Sequence, residues 1–549
     1  MIQILKIGEL KNKLIRSFNN FQSAWNKENP HAEPVEFSPT LGSAFSQIAY
    51  PVFLGFFALV AIVLGSIQSD SPFTLKQPGA WFFGIAPAPI ISNPKSSPSA
   101  GLFIGMIAVY GGLFVFMRAW WMLYKRISLL NNFPIKTLAV VLALWILPLI
   151  ISPPLFSRDS YSYAGQGEMV SRNISPYKHG VAILGENANS YYDQVDKLWQ
   201  FTPVPYGPLD LDIAAGVMIA VGHRELWGIL GLRLTIGIIG VVLSAIFFPK
   251  ISRRIKKDPS PIFAFGILNP IVILHLIGGI HNDALMVGFM FAGIYFAKKD
   301  MPVLGIIFCS VGALIKVPAI IVCGFIGWNW KKGEVPIKTR VSYSVLSGVI
   351  SLITMELGTL PTGLGWGWIH NLSAPNAVVS WMAPVTGLAI LFAHISSLLS
   401  LPISRLGWLH FVDDLSTLVT VAVLAYLLFN SHKKDWLRST AFALIFLVVL
   451  NPVVQPWYLS WGIMTVAFVL EGRMKYLFAG LSIVSSFVGL PGARGLVGQL
   501  ENANLLFVLP SFLALIILLL IPLIKPARKV SHVLKTMREE EKKGDLAKI

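Results

Sequence analysis

Apolar runs of membrane length alternate with short polar punctuation along this chain, beginning with residues 46–66 and 101–121, which are separated by a loop rich in Pro, Gly and Ser. Runs of this length are those of bilayer-spanning helices. Lys125, Arg126 and Lys136 then precede a third run at 137–152. Basic residues collect in the loops that stay in the cytoplasm, so the polar interval after residue 152 is placed on the outer side. The next cytoplasmic mark, residues 249–258, carries Lys250, Arg253, Arg254, Lys256 and Lys257, so the number of crossings between the two marks is odd. Two apolar runs compete for that crossing. Residues 228–248 are uncharged except for Arg233, whereas 209–222 is short and opens with Asp210 and Asp212. The expectation is an outer-surface helix over 207–222 and a span over 228–248.

Residues 261–279 then lead outward to a turn at His281-Asn282-Asp283, and 284–297 return to Lys298-Lys299. Two short runs, 301–315 and 317–330, end at Lys331-Lys332, which predicts a tilted or re-entrant hairpin with Lys316-Val317-Pro318 at its tip. After a span at 341–359 comes an outer loop rich in Gly, Trp and Pro. His432-Lys433-Lys434 marks the inside again, so parity makes 384–400 a second surface helix and 409–430 a span. Runs at 438–453, 456–470, 475–490 and 504–524 complete the set. The predicted fold class is an all-α polytopic membrane protein with about 14 transmembrane helices plus outer-surface juxtamembrane helices. Its expected organisation is a cytoplasmic segment at 1–45, a transmembrane domain at 46–524 with outer loops at 153–227 and 360–408, and a cytoplasmic tail at 525–549. The basic 1–45 segment reads as a leader that stays inside rather than a cleaved signal. The tail, with its run of Glu and Lys, reads as a solvated helix.

Composition supports the membrane reading. Hydrophobic residues make up 54% of the 549 and charged residues only 13%, and the mean hydropathy is +0.66. A soluble protein of this size has no use for so much apolar surface. The net charge of +17 is spread over topogenic clusters rather than one basic face, and no nucleic-acid-binding module is present. Cys309 and Cys323 both sit in apolar runs and supply no disulfide framework. No P-loop and no Gly-x-Gly-x-x-Gly after a strand occurs, so a nucleotide-binding domain is not expected.

Candidate chemistry concentrates in residues 156–208, the longest polar and aromatic interval. Asp159 follows the third apolar run by seven residues, and Asp159, Tyr163 and Gln166 fall at helical spacing, so one helix face presents a carboxylate, a phenol and an amide. Two readings compete: a face aimed at a substrate, or a helix-capping aspartate with an interfacial belt of tyrosines. Pro176-Tyr177 and Pro203-Val204-Pro205-Tyr206-Gly207-Pro208 set aromatic rings in rigid backbone, either for stacking on a sugar or merely to stiffen a loop. Elsewhere on the outer side stand His281, Asn282 and Asp283 at a helix start, and Lys316 in an apolar hairpin. An intramembrane cation is functional by default unless it only pairs locally. Trp366, Trp368, His370 and Trp381 crowd one loop as a binding wall or an interface girdle, and Gln455-Pro456-Trp457-Tyr458 forms a tight turn. Arg494 offers an outer cation for a phosphate. Asp210-Leu211-Asp212 has the form of a metal-binding Asp-x-Asp, although the nucleotide domain that uses such a motif is missing.

Arg158-Asp159-Ser160-Tyr161-Ser162-Tyr163-Ala164-Gly165-Gln166-Gly167, followed by Ser175-Pro176-Tyr177 and Pro205-Tyr206-Gly207-Pro208-Leu209, resembles the first large outer loop of the GT-C glycosyltransferases. The segment is most similar to the polyprenyl-phosphomannose-dependent α-1,6-mannosyltransferases of mycobacteria and corynebacteria, which build lipomannan. His281-Asn282-Asp283, Lys316-Val317-Pro318, Ser380-Trp381-Met382-Ala383-Pro384 and Gln455-Pro456-Trp457-Tyr458 extend the resemblance over most of residues 137–500. In simple GT-C enzymes the acidic loop follows the first span. Here two further spans precede it, which means either an N-terminal addition or a count that is off by a pair.

The resemblance implies an inverting transfer of mannose from polyprenyl phosphomannose to the 6-hydroxyl of a mannosylated lipid acceptor, on the outer face of the plasma membrane. Its partners are then that donor, that acceptor and membrane lipids, without nucleic acid. No cofactor or metal is expected, because the donor is lipid-linked. Asp159 is the implied base; Arg158, Lys316, Arg494, His281 and Asp283 are implied for the donor phosphate and sugar. Tyr161, Tyr163, Gln166, Tyr177, Tyr206, Trp381, Gln455, Trp457 and Tyr458 are implied for the acceptor and sugar. The competing classes are a transporter or flippase, which predicts polar sites deep in near-symmetric halves, and a GT-C enzyme for another sugar such as arabinose.

Overall fold

Every regular element among the described residues is helical, as lipid requires of segments that must satisfy their own backbone groups. The computed structural model describes residues 41–67, 100–130, 132–185, 194–377, 383–433 and 435–488, all within one compact unit, Phe37–Leu519. The expected run at 504–524, the leader before residue 41, the tail, Trp381 and Arg494 lie outside the described residues. The helices are α1 (Leu41–Ser66), α2 (Ala100–Ile127), α3 (Ile135–Ile150), α4 (Asp159–Ser171), α5 (Pro208–Ala220) and α6 (Glu225–Arg254). They continue with α7 (Pro259–Gly266), α8 (Asp283–Lys298), α9 (Pro302–Ala313), α10 (Ile320–Trp328), α11 (Ile337–Thr359), α12 (Pro384–Leu398) and α13 (Arg405–Asn430). The last three are α14 (Trp436–Val449), α15 (Leu459–Val466) and α16 (Met474–Val488).

Among the described residues, five helices are long and apolar enough to cross a membrane: α1, α2, α6, α11 and α13. Six shorter apolar helices accompany them, α12 among them as a 15-residue element that matches the expected second surface helix in position. At 16 residues, α3 is about 24 Å long, short of the roughly 30 Å hydrocarbon core. Close packing draws α1 to α2 at glycines: a Cβ on Gly112 would meet Ile62 and Ala58, and one on Gly65 would meet Ala108.

The expected span at 261–279 is not one straight helix. Chain α7 stops before Asn269-Pro270, and Val272–Gly278 is a π-helical turn that meets α8 at a bend of 115°. The cause is local. Pro270 has no N–H to continue a helix, while Asn269 Oδ1 accepts from the Ile271 N–H at 3.0 Å and its Nδ2 donates to the Phe265 carbonyl and to Ser482 Oγ. The bend places the ends of two half-helices beside α4. The predicted hairpin is present as α9, a 3-10 turn at Val317–Ala319 and α10, with Lys316 in extended backbone at the tip.

Arg233, read only as the single charge in a span, has a structural task. Its buried guanidinium donates to the carbonyls of Ile150 (2.9 Å) and Ser152 (2.5 Å), which the end of α3 leaves without helical partners. The Leu155 N–H bonds the Gly278 carbonyl at 2.9 Å. The entry to α4 is thereby tied to the broken helix.

Candidate active site

Strained backbone brackets two catalytic candidates. Phe156 adopts φ +61° three residues before Asp159, and Ile280 adopts φ +61° immediately before His281. A bulky side chain such as Phe or a β-branched one such as Ile rarely tolerates that region, so the surrounding packing holds both turns in place. Ser157 Oγ then accepts from the Asp159 N–H at 3.1 Å, and α4 begins with the Asp159 carboxylate at its positive end.

Three aspartates from three different elements converge there. Asp159 Oδ2 lies 3.5 Å from His281 Nδ1, and the His281 ring stacks on Trp457 with centroids 3.7 Å apart and planes at 13°. Asp283, in the first turn of α8, is fully buried with both oxygens engaged: Oδ2 accepts from Lys316 Nζ at 2.8 Å and Oδ1 from Trp461 Nε1 at 2.5 Å. Asn282 donates from Nδ2 to Asp210 Oδ2 at 3.0 Å, and its Oδ1 accepts from Lys316 Nζ at 3.5 Å. Lys316 lies over the rings of Tyr458 at 4.4 Å and Tyr206 at 5.5 Å, a cation box that the sign of the ring quadrupole favours. Burial raises the Asp210 carboxyl to about 7, against the opposing effects of the Asn282 hydrogen bond and Lys316. Asp210 Oδ1 is left without a partner.

Of the three carboxylates, Asp159 is the one that reaches the surface: its side chain is 21% exposed, whereas Asp210 and Asp283 are 1% and 0% exposed. It is therefore the one of the three with an oxygen open to solvent. Burial raises the phenols of Tyr161, Tyr163 and Tyr206 well above their ordinary values, so all three are neutral donors. Tyr163 stands edge-on to Tyr206 at 5.5 Å, and the Tyr161 hydroxyl and Gln166 Oε1 have no hydrogen-bond partner. The helical face predicted from Asp159, Tyr163 and Gln166 thus points inward.

The proline-rich segment reaches this cluster by docking on the hairpin. Gly207 N–H bonds the Ile315 carbonyl and Leu209 N–H the Leu314 carbonyl, both at 3.1 Å. No Cβ fits at Gly207, because one would fall on the Leu314 backbone. That close approach seats Tyr206 beside Lys316. Tyr177 Oη donates to the Tyr206 carbonyl at 3.1 Å, and Asn371 Nδ2 donates to the carbonyls of Tyr177 and Val204, so the segment after α11 is laced to the one between α4 and α5.

Other candidates stand apart or have local work. Asp212, two residues beyond Asp210 on α5, projects about 200° away around the helix, so the Asp-x-Asp pair does not converge. Glu168 is buried between Arg172 (2.6 Å) and His223 (2.6 Å) at the C-terminal end of α4. Trp366 donates to Glu356, Trp368 is buried, and Gln455 contributes its carbonyl to the Pro456–Tyr458 turn. Arg158 is half-buried beside Asp159. Two participants went unread in the sequence. Trp461 is four residues after Trp457, so helical spacing was the available signal. His275 is fully buried with its ring 6.0 Å from Trp457 and 6.5 Å from His281, and it lay hidden in an apolar run.

Comparison with known proteins gives a consistent match. Residues 52–332 match the family model described as the alpha-(1->6)-mannopyranosyltransferase N-terminal domain, and residues 385–521 match the one described as the MptB C-terminal domain. The chain is 30% identical over 421 residues to alpha-(1->6)-mannopyranosyltransferase A of Mycobacterium tuberculosis, covering 73% of this chain and 78% of that one. It is 26% identical over 454 residues to alpha-(1->6)-mannopyranosyltransferase B of Corynebacterium glutamicum, covering 75% and 74%. No solved structure matches.

Proposed function

The chain belongs to the alpha-(1->6)-mannopyranosyltransferase family, and on that premise we propose that it transfers mannose from polyprenyl phosphomannose to the 6-hydroxyl of an α-mannoside acceptor at the outer face of the plasma membrane. The observation that carries the assignment of roles is the difference among the three aspartates: Asp283 and Asp210 are buried and hydrogen-bonded, and Asp159 is open. A β-linked donor that gives an α-linked product calls for a single displacement with inversion. Asp159 accepts the proton of the 6-hydroxyl as that oxygen bonds to C1 of mannose, and the bond from C1 to the phosphate oxygen breaks. Polyprenyl phosphate leaves with the electron pair. His281, held flat by Trp457, orients the carboxylate.

The leaving phosphate needs donors as its charge grows. Lys316 donates to Asp283 at 2.8 Å and to Asn282 at 3.5 Å, which leaves its third N–H for a ligand, and Arg158 flanks the base. Tyr163, Tyr206 and Tyr458 supply neutral hydroxyls and ring faces for the sugars. A lipid tail in the bilayer and a sugar in the outer loops also account for an enzyme without a nucleotide-binding domain.

The test is transfer of labelled mannose from polyprenyl phosphomannose to a short α-1,6-mannoside by purified protein. Asp159→Asn is expected to lower kcat by about 10²–10⁴, the usual worth of a general base, with donor KM and melting temperature unchanged. Equal turnover by both proteins would remove Asp159 from the chemistry.

A further inference from the structure

The hairpin and helix that carry Asp283 and Lys316 build a cavity at their opposite ends. Helix α8 runs from Asp283 at the aspartate cluster to Lys298 at this cavity, about 24 Å over its 16 residues. The cavity holds about 750 Å³, inside the roughly 300–1,000 Å³ range of small-ligand sites. Its lining includes Arg254 at the end of α6, Lys298, Lys331 and Lys332 after α10, and Arg340 in the first turn of α11. Against these five cations stand Asp300 and Asp435, which leaves a surplus of three positive charges.

The charges are held in position. Asp300 bridges Arg254 at 3.2 Å and Lys332 at 2.5 Å, while Asp435 holds Lys298 at 2.5 Å, and Lys298 lies 4.6 Å over the Trp436 ring. Arg340 is buried and donates to the carbonyls of Trp328 and Gly333, which fixes the turn that presents Lys331 and Lys332. Lys331 rests 5.3 Å over the Tyr343 ring and has no carboxylate partner among the described residues. Mannosyl transfer at the aspartate cluster uses none of these groups.

We propose that this cavity binds the phosphate of an anionic phospholipid headgroup, in the leaflet opposite the aspartate cluster. Two features favour a lipid over another anion. The cavity opens where the apolar lengths of α6 and α11 end in Arg254 and begin after Pro336, which is the depth of the headgroups. Trp330 and Trp436 line it, and indoles concentrate at that depth. A basic pocket between the ends of membrane helices on the cytoplasmic side is a built receptor for a phosphate oxyanion.

The experiment uses the full chain, in discs of phosphatidylcholine with or without phosphatidylglycerol and in detergent for native mass spectrometry. Phosphatidylglycerol is expected to raise the melting temperature of the wild type. Lys331→Ala with Lys332→Ala is expected to abolish that rise and to weaken retention of the lipid about thirtyfold. Both lysines are exposed, and the pair Lys331→Arg with Lys332→Arg should restore retention. Lys338→Ala, an exposed lysine on the same side but outside the cavity, should lose nothing. Equal retention by the wild type and the double alanine variant overturns the proposal. An equal loss in Lys338→Ala does so too, since it assigns the effect to diffuse surface charge. Displacement of the lipid by millimolar inorganic phosphate would replace the lipid with a free anion.

Discussion

At the residue scale, the site divides its acidic groups by environment. One buried carboxylate is matched to an ammonium and an indole, a second is paired with an amide, and the third is left at the surface. The second gives the molecule a pH dependence. Burial raises Asp210 from 3.8 to about 7, so the folded state holds this proton more tightly than the unfolded chain. Its contribution to stability is complete below pH 4 and is lost as pH rises through about 7, a matter of a few kcal/mol. Asp210→Asn keeps an oxygen to accept from Asn282 and removes the titration. The melting temperature of the wild type should therefore fall between pH 5 and pH 8, and that of Asp210→Asn should fall less; identical profiles would show that Asp210 ionises without cost.

At the element scale, the site exists because short and broken helices end where long ones pass. Pro270 and the side chain of Asn269 interrupt what a hydropathy reading takes for one span, and the bend of 115° delivers His281, Asn282 and Asp283 together. The hairpin tip delivers Lys316, and Gly207 lets the proline-rich segment lie against it. Gly207→Ala, at an ordinary φ of −69°, tests packing rather than backbone strain. It should cost about 1–3 kcal/mol as overpacking and lower kcat/KM by shifting Tyr206 from Lys316. Gly216→Ala, in the interior of α5 where a Cβ meets nothing within 4 Å, should leave kcat/KM unchanged and raise stability by about 0.5–1 kcal/mol, as Ala does over Gly in a helix. Thermal melts and steady-state transfer assays read the two effects, and equal behaviour of the two variants would deny the docking contact its role.

At the scale of the whole molecule, charge along the sequence and geometry in space agree on two unlike ends, one with the aspartates and aromatic loops, the other with the basic turns. Sidedness is open to direct measurement, because Cys309 and Cys323 are both buried and give little background. Lys178→Cys, exposed in the first outer loop, should react with a membrane-impermeant maleimide on intact cells, and Lys338→Cys only after permeabilisation; the reverse pattern would invert the molecule. Much of this was legible in the chain alone. Apolar length and basic punctuation determine that it is a helical membrane protein and in what order its helices come, because hydrophobic transfer and topogenic charge act on local segments. The same local signals picked out the Asp159, Tyr163, Gln166 face and the lysine at the hairpin tip. Tertiary structure alone decided the pairings: that Asp283 belongs to Lys316 and Trp461, that Asp210 bonds Asn282, and that Arg233 ties off the end of α3. Partners separated by 33 to 178 residues leave no local trace, and whether a carboxylate is open or buried depends on what the rest of the chain packs against it.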